Sequence, residues 1–126
     1  MMNAAALAES GYGTSRQPIQ THRSLEYDAF LKVTQDLNRT AKNRRNAFAS
    51  FAEALHRNRR LWTILAGDVA EPTNALPQAL RAQIFYLAEF TDQHTTKVLS
   101  NQDTIEPLID INKAIMAGLR TAAGDF

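Results

Sequence analysis

The sequence predicts an all-α fold: a compact bundle of three long helices and one short C-terminal helix, with a flexible N-terminal tail. Three observations carry this. Prolines and glycines number only four and five in 126 residues, and most lie near the ends or in one short stretch. Apolar residues recur at three- and four-residue intervals over long segments, which lines up one face of a helix. No stretch alternates apolar and polar residues with β-branched enrichment, as a half-buried strand would. At this length one modest core is expected, and no internal repeat divides the chain.

Residues 1–20 form the expected tail. Ser10-Gly11-Tyr12-Gly13-Thr14-Ser15 is turn-forming, and Pro18 follows it. The helical domain spans 21–120, with a frayed end over 121–126. Thr21 or Ser24 can cap a first helix. Its inner face reads Tyr27, Phe30 or Leu31, Thr34, Leu37 and Ala41, and Lys42–Asn46 is a polar break. The second helix, expected over 46–70, carries the longest stripe: Phe48, Phe51, Ala52, Leu55, Trp62, Leu65, Ala66 and Val69, widened by Leu61 and Ile64. Glu71-Pro72-Thr73-Asn74 is a turn signal, because the residue before proline avoids helical geometry and asparagine tolerates turns.

Pro77 suits the first turn of a third helix, where its missing N–H has no partner to lose. That helix shows Leu80, Ile84, Leu87, Thr91, His94 and Val98 on one face, flanked by Phe85, Ala88 and Phe90. A polar connection over 100–104 leads to the short fourth helix, with Leu108, Ile111 or Asn112, Ile115 and Leu119 inward. Pro107 stands near its start, and Gly118 weakens its end. Short connections make neighbouring helices antiparallel.

Lysine and arginine total 14 against 13 acidic residues. That balance argues against a dedicated nucleic-acid binder, although Arg39, Lys42, Arg44, Arg45, Arg57, Arg59 and Arg60 cluster in the middle third. The absence of cysteine removes thiolate metal sites and disulfides and suits a reducing compartment. No apolar run approaches the roughly 20 residues needed to span a bilayer, and the first residues lack a basic flank, so a cytoplasmic protein is expected.

Catalysis finds no foothold. His22, His56 and His94 lie on separate segments, and Glu53–His56 is one lone pair, so no metal site or cofactor is expected. His94, on an apolar stripe, reads as a partly buried histidine bonded to a backbone carbonyl or near Asp92. No phosphate loop or nucleophile elbow occurs.

Two asparagines stand out. Asn58 lies between Leu55 and Trp62, and Asn112 between Leu108 and Ile115. An amide in an apolar stripe costs about 1–3 kcal/mol if unpaired. Either each bonds a neighbouring helix backbone and fixes its register, or one or both line a groove for a partner's backbone. Arg57-Asn58-Arg59-Arg60-Leu61-Trp62 likewise reads as a solvated face beside a core tryptophan, or as interface composition.

Glu53-Ala54-Leu55-His56-Arg57-Asn58-Arg59-Arg60-Leu61-Trp62-Thr63 resembles the hallmark of the flagellar biosynthesis regulator FlaF family. Asn74-Ala75-Leu76-Pro77 resembles that family's entry to the third helix. Leu108-Ile109-Asp110-Ile111-Asn112-Lys113-Ala114-Ile115, with Gly118-Leu119, resembles its closing motif. The likeness covers residues 21–120, with His22 standing where proline is usual. It implies a part in flagellin synthesis and export, similar to a flagellin-binding secretion chaperone, with FlbT and the export apparatus as further partners.

On this reading the chain is not an enzyme. An apolar groove near the second and fourth helices accepts an amphipathic segment of flagellin. Asn58, Arg59, Arg60, Leu61, Trp62, Asn112 and Ile115 are the candidate contacts, with no small-molecule substrate and no membrane insertion. The alternatives are a regulator acting through flagellin mRNA, motivated by the basic run, and an adaptor acting through FlbT.

Overall fold

The computed structural model describes residues 22–122, and four helices account for most of them: α1 (His22–Ala41), α2 (Phe48–Ala70), α3 (Gln78–Leu99) and α4 (Glu106–Ala122). They contain 20, 23, 22 and 17 residues, so the last is the shortest, as the sequence predicts. The expected tail over 1–20, the capping position Thr21 and the end from 123 onward lie outside the described residues. Gly118 does not stop α4, which continues to Ala122. No described helix is long and apolar enough to cross a membrane.

The helix ends show why the breaks fall where they do. After α1 the chain turns through Lys42–Asn46, held by Asn43 N–H on the Thr40 carbonyl at 3.1 Å and Ala47 N–H on the Asn43 carbonyl at 3.0 Å. α2 ends at Ala70 because Pro72 holds Glu71 extended. Asn74 then closes the turn in both directions: its amide donates to the Asp68 carbonyl at 3.0 Å and its oxygen accepts from Leu76 N–H at 3.0 Å. Arg81, one turn into α3, reaches back to the Val69 and Glu71 carbonyls at 2.8 and 2.9 Å, satisfying acceptors that the end of α2 leaves free. Pro77 caps α3, and its carbonyl receives Arg81 N–H at 3.0 Å.

α3 ends differently. Asn101 adopts a left-handed conformation (φ 61°), which asparagine tolerates better than most residues. Its N–H meets the Val98 carbonyl, and Gln102 N–H meets that of Lys97 at 2.8 Å. This is the hydrogen-bond pair of a Schellman stop.

Two apolar clusters fill the interior. One joins Phe30 and Val33 of α1, Trp62, Leu65 and Val69 of α2, Ile84 and Ala88 of α3, and Ile115, Met116 and Leu119 of α4. The other joins Leu37, Phe51, Ala54, Leu55, Val98, Leu108 and Ile109, with Ile105 beside them. Early residues of α1 and α3 thus meet late residues of α2 and α4, so consecutive helices run antiparallel. α2 packs on both α1 and α3, α4 packs mainly on α1, and among neighbouring helices α3 and α4 meet least.

Most expected inward residues are buried, and Phe30 rather than Leu31 takes the inner position on α1. Phe48 is a correction. Its spacing places it on the inward stripe of α2, but it is 43 % exposed. Phe48 sits in the first turn, beyond the last core layer at Phe51, where no helix faces it.

One polar cluster ties α1 to α2. The Asp36 carboxylate accepts from Arg39 at 2.9 Å and lies 3.6 Å from Lys32 and 3.7 Å from Arg57 of α2. The Arg39 hydrogen bond holds its carboxyl below the ordinary carboxylate range, against the opposing effect of burial and with help from Lys32. A depressed folded-state pKa gives stability that is present above the ordinary value and lost as the pH falls through the lower one. Asp36→Asn is therefore expected to lower the urea midpoint near neutral pH. The gap from the parent protein should close as the pH drops below about 4; a gap constant across that range excludes the carboxylate's charge as its cause.

Candidate functional site

Between the two apolar clusters lies a polar layer to which every helix contributes. Thr34 of α1, Asn58 of α2, Thr91 and Thr95 of α3, and Asn112 of α4 are all buried. Asn112 organises it. Its oxygen accepts from the Trp62 indole N–H at 2.8 Å, and its amide nitrogen donates to Thr34 Oγ1 at 3.0 Å and to Asn58 Oδ1 at 2.8 Å. Thr34 passes its own proton to the Phe30 carbonyl at 2.6 Å.

Directions within this network are forced. Indole N–H can only donate, so Asn112 must turn its oxygen towards Trp62 and its two N–H groups towards Thr34 and Asn58. Asn58 must then present its oxygen, which leaves its own Nδ2 buried without a hydrogen-bond partner. The Thr91 hydroxyl is also buried and unpartnered, while Thr95 bonds the Thr91 carbonyl at 2.7 Å. Of the two readings of the asparagines, the structure shows the internal one with a difference: the partners are side chains of neighbouring helices rather than their backbone, and they join α1, α2 and α4.

The seven candidate contacts therefore divide. Asn58, Trp62, Asn112 and Ile115 are interior and offer no surface in this conformation. The Trp62 ring also meets Phe30 edge to face, at 5.2 Å between centroids. Leu61 is half-buried against the first apolar cluster. Arg60 is exposed, and Arg59 lies at the border of α2 and α3, 3.7 Å from Asp92 and 3.2 Å from His56. Near α2 and α4, where a groove is expected, Asn58, Trp62, Asn112 and Ile115 face the interior and line no surface in this conformation.

The outer surface offers a different feature. Phe85 and Tyr86, adjacent on α3, are 44 % and 65 % exposed. Phe85 borders a shallow groove of about 250 Å³ between α2 and α3, with Thr63 and Ala66 on one side and Ala88, Glu89 and Asp92 on the other. A Cβ on neighbouring Gly67 would meet nothing within 4 Å. The sequence marks Phe85 only as a flank of the α3 stripe and does not mark Tyr86. On a helix with apolar residues at nearly every phase over 84–88, spacing does not separate outer aromatics from inner ones.

His94 is placed as expected. Its Nε2 lies 2.8 Å from the Thr104 carbonyl and 3.9 Å from Asp103, and its ring stacks on Phe90 at 5.3 Å. It pins the α3–α4 connection to the bundle.

These elements define an antiparallel four-helix bundle with a directional polar layer, in which the motif residues Asn58, Trp62, Asn74 and Asn112 serve the architecture. The model of the family described as flagellar protein FlaF matches residues 8–119, and the chain belongs to that family. Its role is accordingly a flagellar one. The match begins earlier than the motifs, which are legible from residue 21. No curated protein and no solved structure matches the chain.

The two asparagines are expected to differ on truncation. Asn112→Ala strands the Trp62 donor and the Asn58 and Thr34 acceptors, a loss of about 3 kcal/mol or more at 1–3 kcal/mol for each buried unsatisfied group. Asn58→Ala removes one acceptor together with an already unpaired donor and should cost clearly less. Urea unfolding of the two variants checks the order, and equal losses would reject the network as drawn.

Proposed function

We propose that this chain binds flagellin in the cytoplasm before export, as a secretion chaperone acting by contact rather than catalysis. Its flagellar family supports the setting. The observation that carries the reading is the Phe85–Tyr86 pair, two large aromatics held outward on an otherwise well-filled bundle. Aromatic side chains at this exposure supply contact area at little conformational cost and are enriched at protein interfaces.

The groove beside Phe85 suits a helix laid along it. Its floor is small, with Thr63, Ala66 and Ala88, which lets another backbone approach closely. Arg59 and Asp92, paired across α2 and α3, stand at its border and can exchange partners with charges on the guest. An amphipathic flagellin segment would bury its apolar face here, and that same face would then be unable to polymerise. Of the seven candidate contacts, Arg59 stands at this surface through Asp92, and Arg60 is exposed but does not line the groove. Asn58, Trp62, Asn112 and Ile115 act beneath it by fixing α2, one of the two helices that form it, against α1 and α4.

Regulation through flagellin mRNA has weaker support. Arg39, Arg44, Arg57 and Arg59 are engaged with Asp36, Asn101, Glu53 and Asp92 respectively, which leaves Lys42, Arg45 and Arg60 of the middle-third cluster for a phosphate backbone. FlbT and the export apparatus remain proposed partners of the loaded complex.

Titration of labelled flagellin with the purified chain tests the reading. Tyr86→Asp and Phe85→Asp are expected to weaken binding by at least about tenfold, some 1.4 kcal/mol, while leaving the thermal midpoint nearly unchanged because both positions are exposed. No saturable binding of flagellin at micromolar concentration, or full affinity in both variants, would overturn it.

A further inference from the structure

A second concavity lies at the end of the bundle, away from Phe85. The α1–α2 connection and the α3–α4 connection form its two walls and enclose an open cleft of about 790 Å³. On one wall stand Arg44, Arg45 and the exposed ring of Phe48; on the other are Gln102, Asp103 and Thr104. We infer that this cleft is a docking site for an acidic peptide segment of a partner protein, one that carries an apolar anchor residue between carboxylates.

The walls are fixed before any ligand arrives. Arg44 donates to the Asn101 side chain across the cleft, and its guanidinium lies 4.8 Å over the Phe51 ring. Asn101 is held in its left-handed turn by the Schellman bonds, and Thr104 is pinned through its carbonyl by His94 at 2.8 Å. Thr104 N–H in turn holds Asp103 Oδ1 at 2.8 Å. A site ordered in this way loses little conformational entropy on binding.

Its free chemistry selects the ligand. Arg44 is already committed, whereas Arg45 is exposed and makes no ion pair among the described residues, with Lys42 also exposed nearby in the same turn. A planar guanidinium beside an aromatic ring accepts a carboxylate in two-point contact while the ring takes an apolar side chain. Phe48 is backed edge-on by Phe51 at 6.1 Å, which leaves its outer surface for that contact. The amide of Gln102 can serve a peptide backbone. The Asp103 carboxylate, held by Thr104 N–H, opposes any anion at its own wall, so the carboxylate contacts of the peptide fall on the Arg45 side. A nucleic acid fits less well because one aromatic gives no ladder on which successive bases can stack. This site is separate from the Phe85 groove and does not depend on flagellin being the partner.

Fluorescence anisotropy with the full chain tests it. The probes are labelled acetyl-Asp-Glu-Leu-Phe-Asp-Glu-amide, its counterpart with lysine at every acidic position, and a labelled oligouridine. The acidic peptide is expected to bind saturably, and the other two at least about tenfold more weakly. Arg45→Glu should weaken the acidic peptide by a similar factor. Arg60→Glu, an equal charge change outside the cleft, should not. Both positions are exposed, so unchanged circular dichroism melts are expected to accompany the result. Failure of the acidic peptide to bind saturably, preference for the basic peptide or the oligonucleotide, or equal effects of Arg45→Glu and Arg60→Glu would each overturn the proposal.

Discussion

The indole N–H of Trp62 resting on the amide oxygen of Asn112 sets the terms for the rest of the bundle. A donor-only group buried between α2 and α4 fixes which way the amide turns, and the amide then fixes what Thr34 and Asn58 must present. Apolar side chains alone would tolerate a slide of one helix along another, because apolar burial given up at one turn is partly recovered at the next. A hydrogen-bond network tolerates no such slide, since each misplaced partner leaves a buried polar atom unsatisfied. The two apolar clusters supply most of the burial, and the layer between them decides the register in which they meet.

That division has a consequence for the surface. The network joins α1, α2 and α4, whereas α3 is held chiefly by packing on α2 and by caps at its two ends: Arg81 on the carbonyls of α2, and His94 on Thr104. α3 is therefore the helix whose outer face is least tied into the network, and it carries two of the three exposed aromatics among the described residues, Phe85 and Tyr86. Both proposed contact surfaces use this arrangement. The groove lies where α3 meets α2, and the cleft lies where the chain leaves α3 for α4.

Much of this was legible in the residues. Helix order, the breaks at Lys42–Asn46 and Glu71–Asn74, and the carbonyl partner of His94 follow from local chemistry. So does the need of Asn58 and Asn112 for partners, because an amide on an apolar stripe must be satisfied. Which partner was not legible: Trp62 and Asn112 are 50 residues apart, and only the packed fold brings them together. Phe48 extends the stripe of α2 by perfect spacing, yet periodicity does not record that the core ends one turn later. The motifs that carry the family likeness include Asn58, Trp62, Asn74 and Asn112, and the structure gives all four internal work. A resemblance built on them identifies the family but does not locate its contact surface.

A contact that sets the register of the whole bundle should open only when the bundle does, and the Trp62–Asn112 pair is that contact. The chain has a single tryptophan, so its indole proton gives one unambiguous signal. Hydrogen exchange at that proton, measured by NMR under native conditions, should yield an opening free energy equal to the global unfolding free energy from urea denaturation. An opening free energy several kcal/mol smaller would show that the layer breathes on its own, and would contradict its part in setting the register.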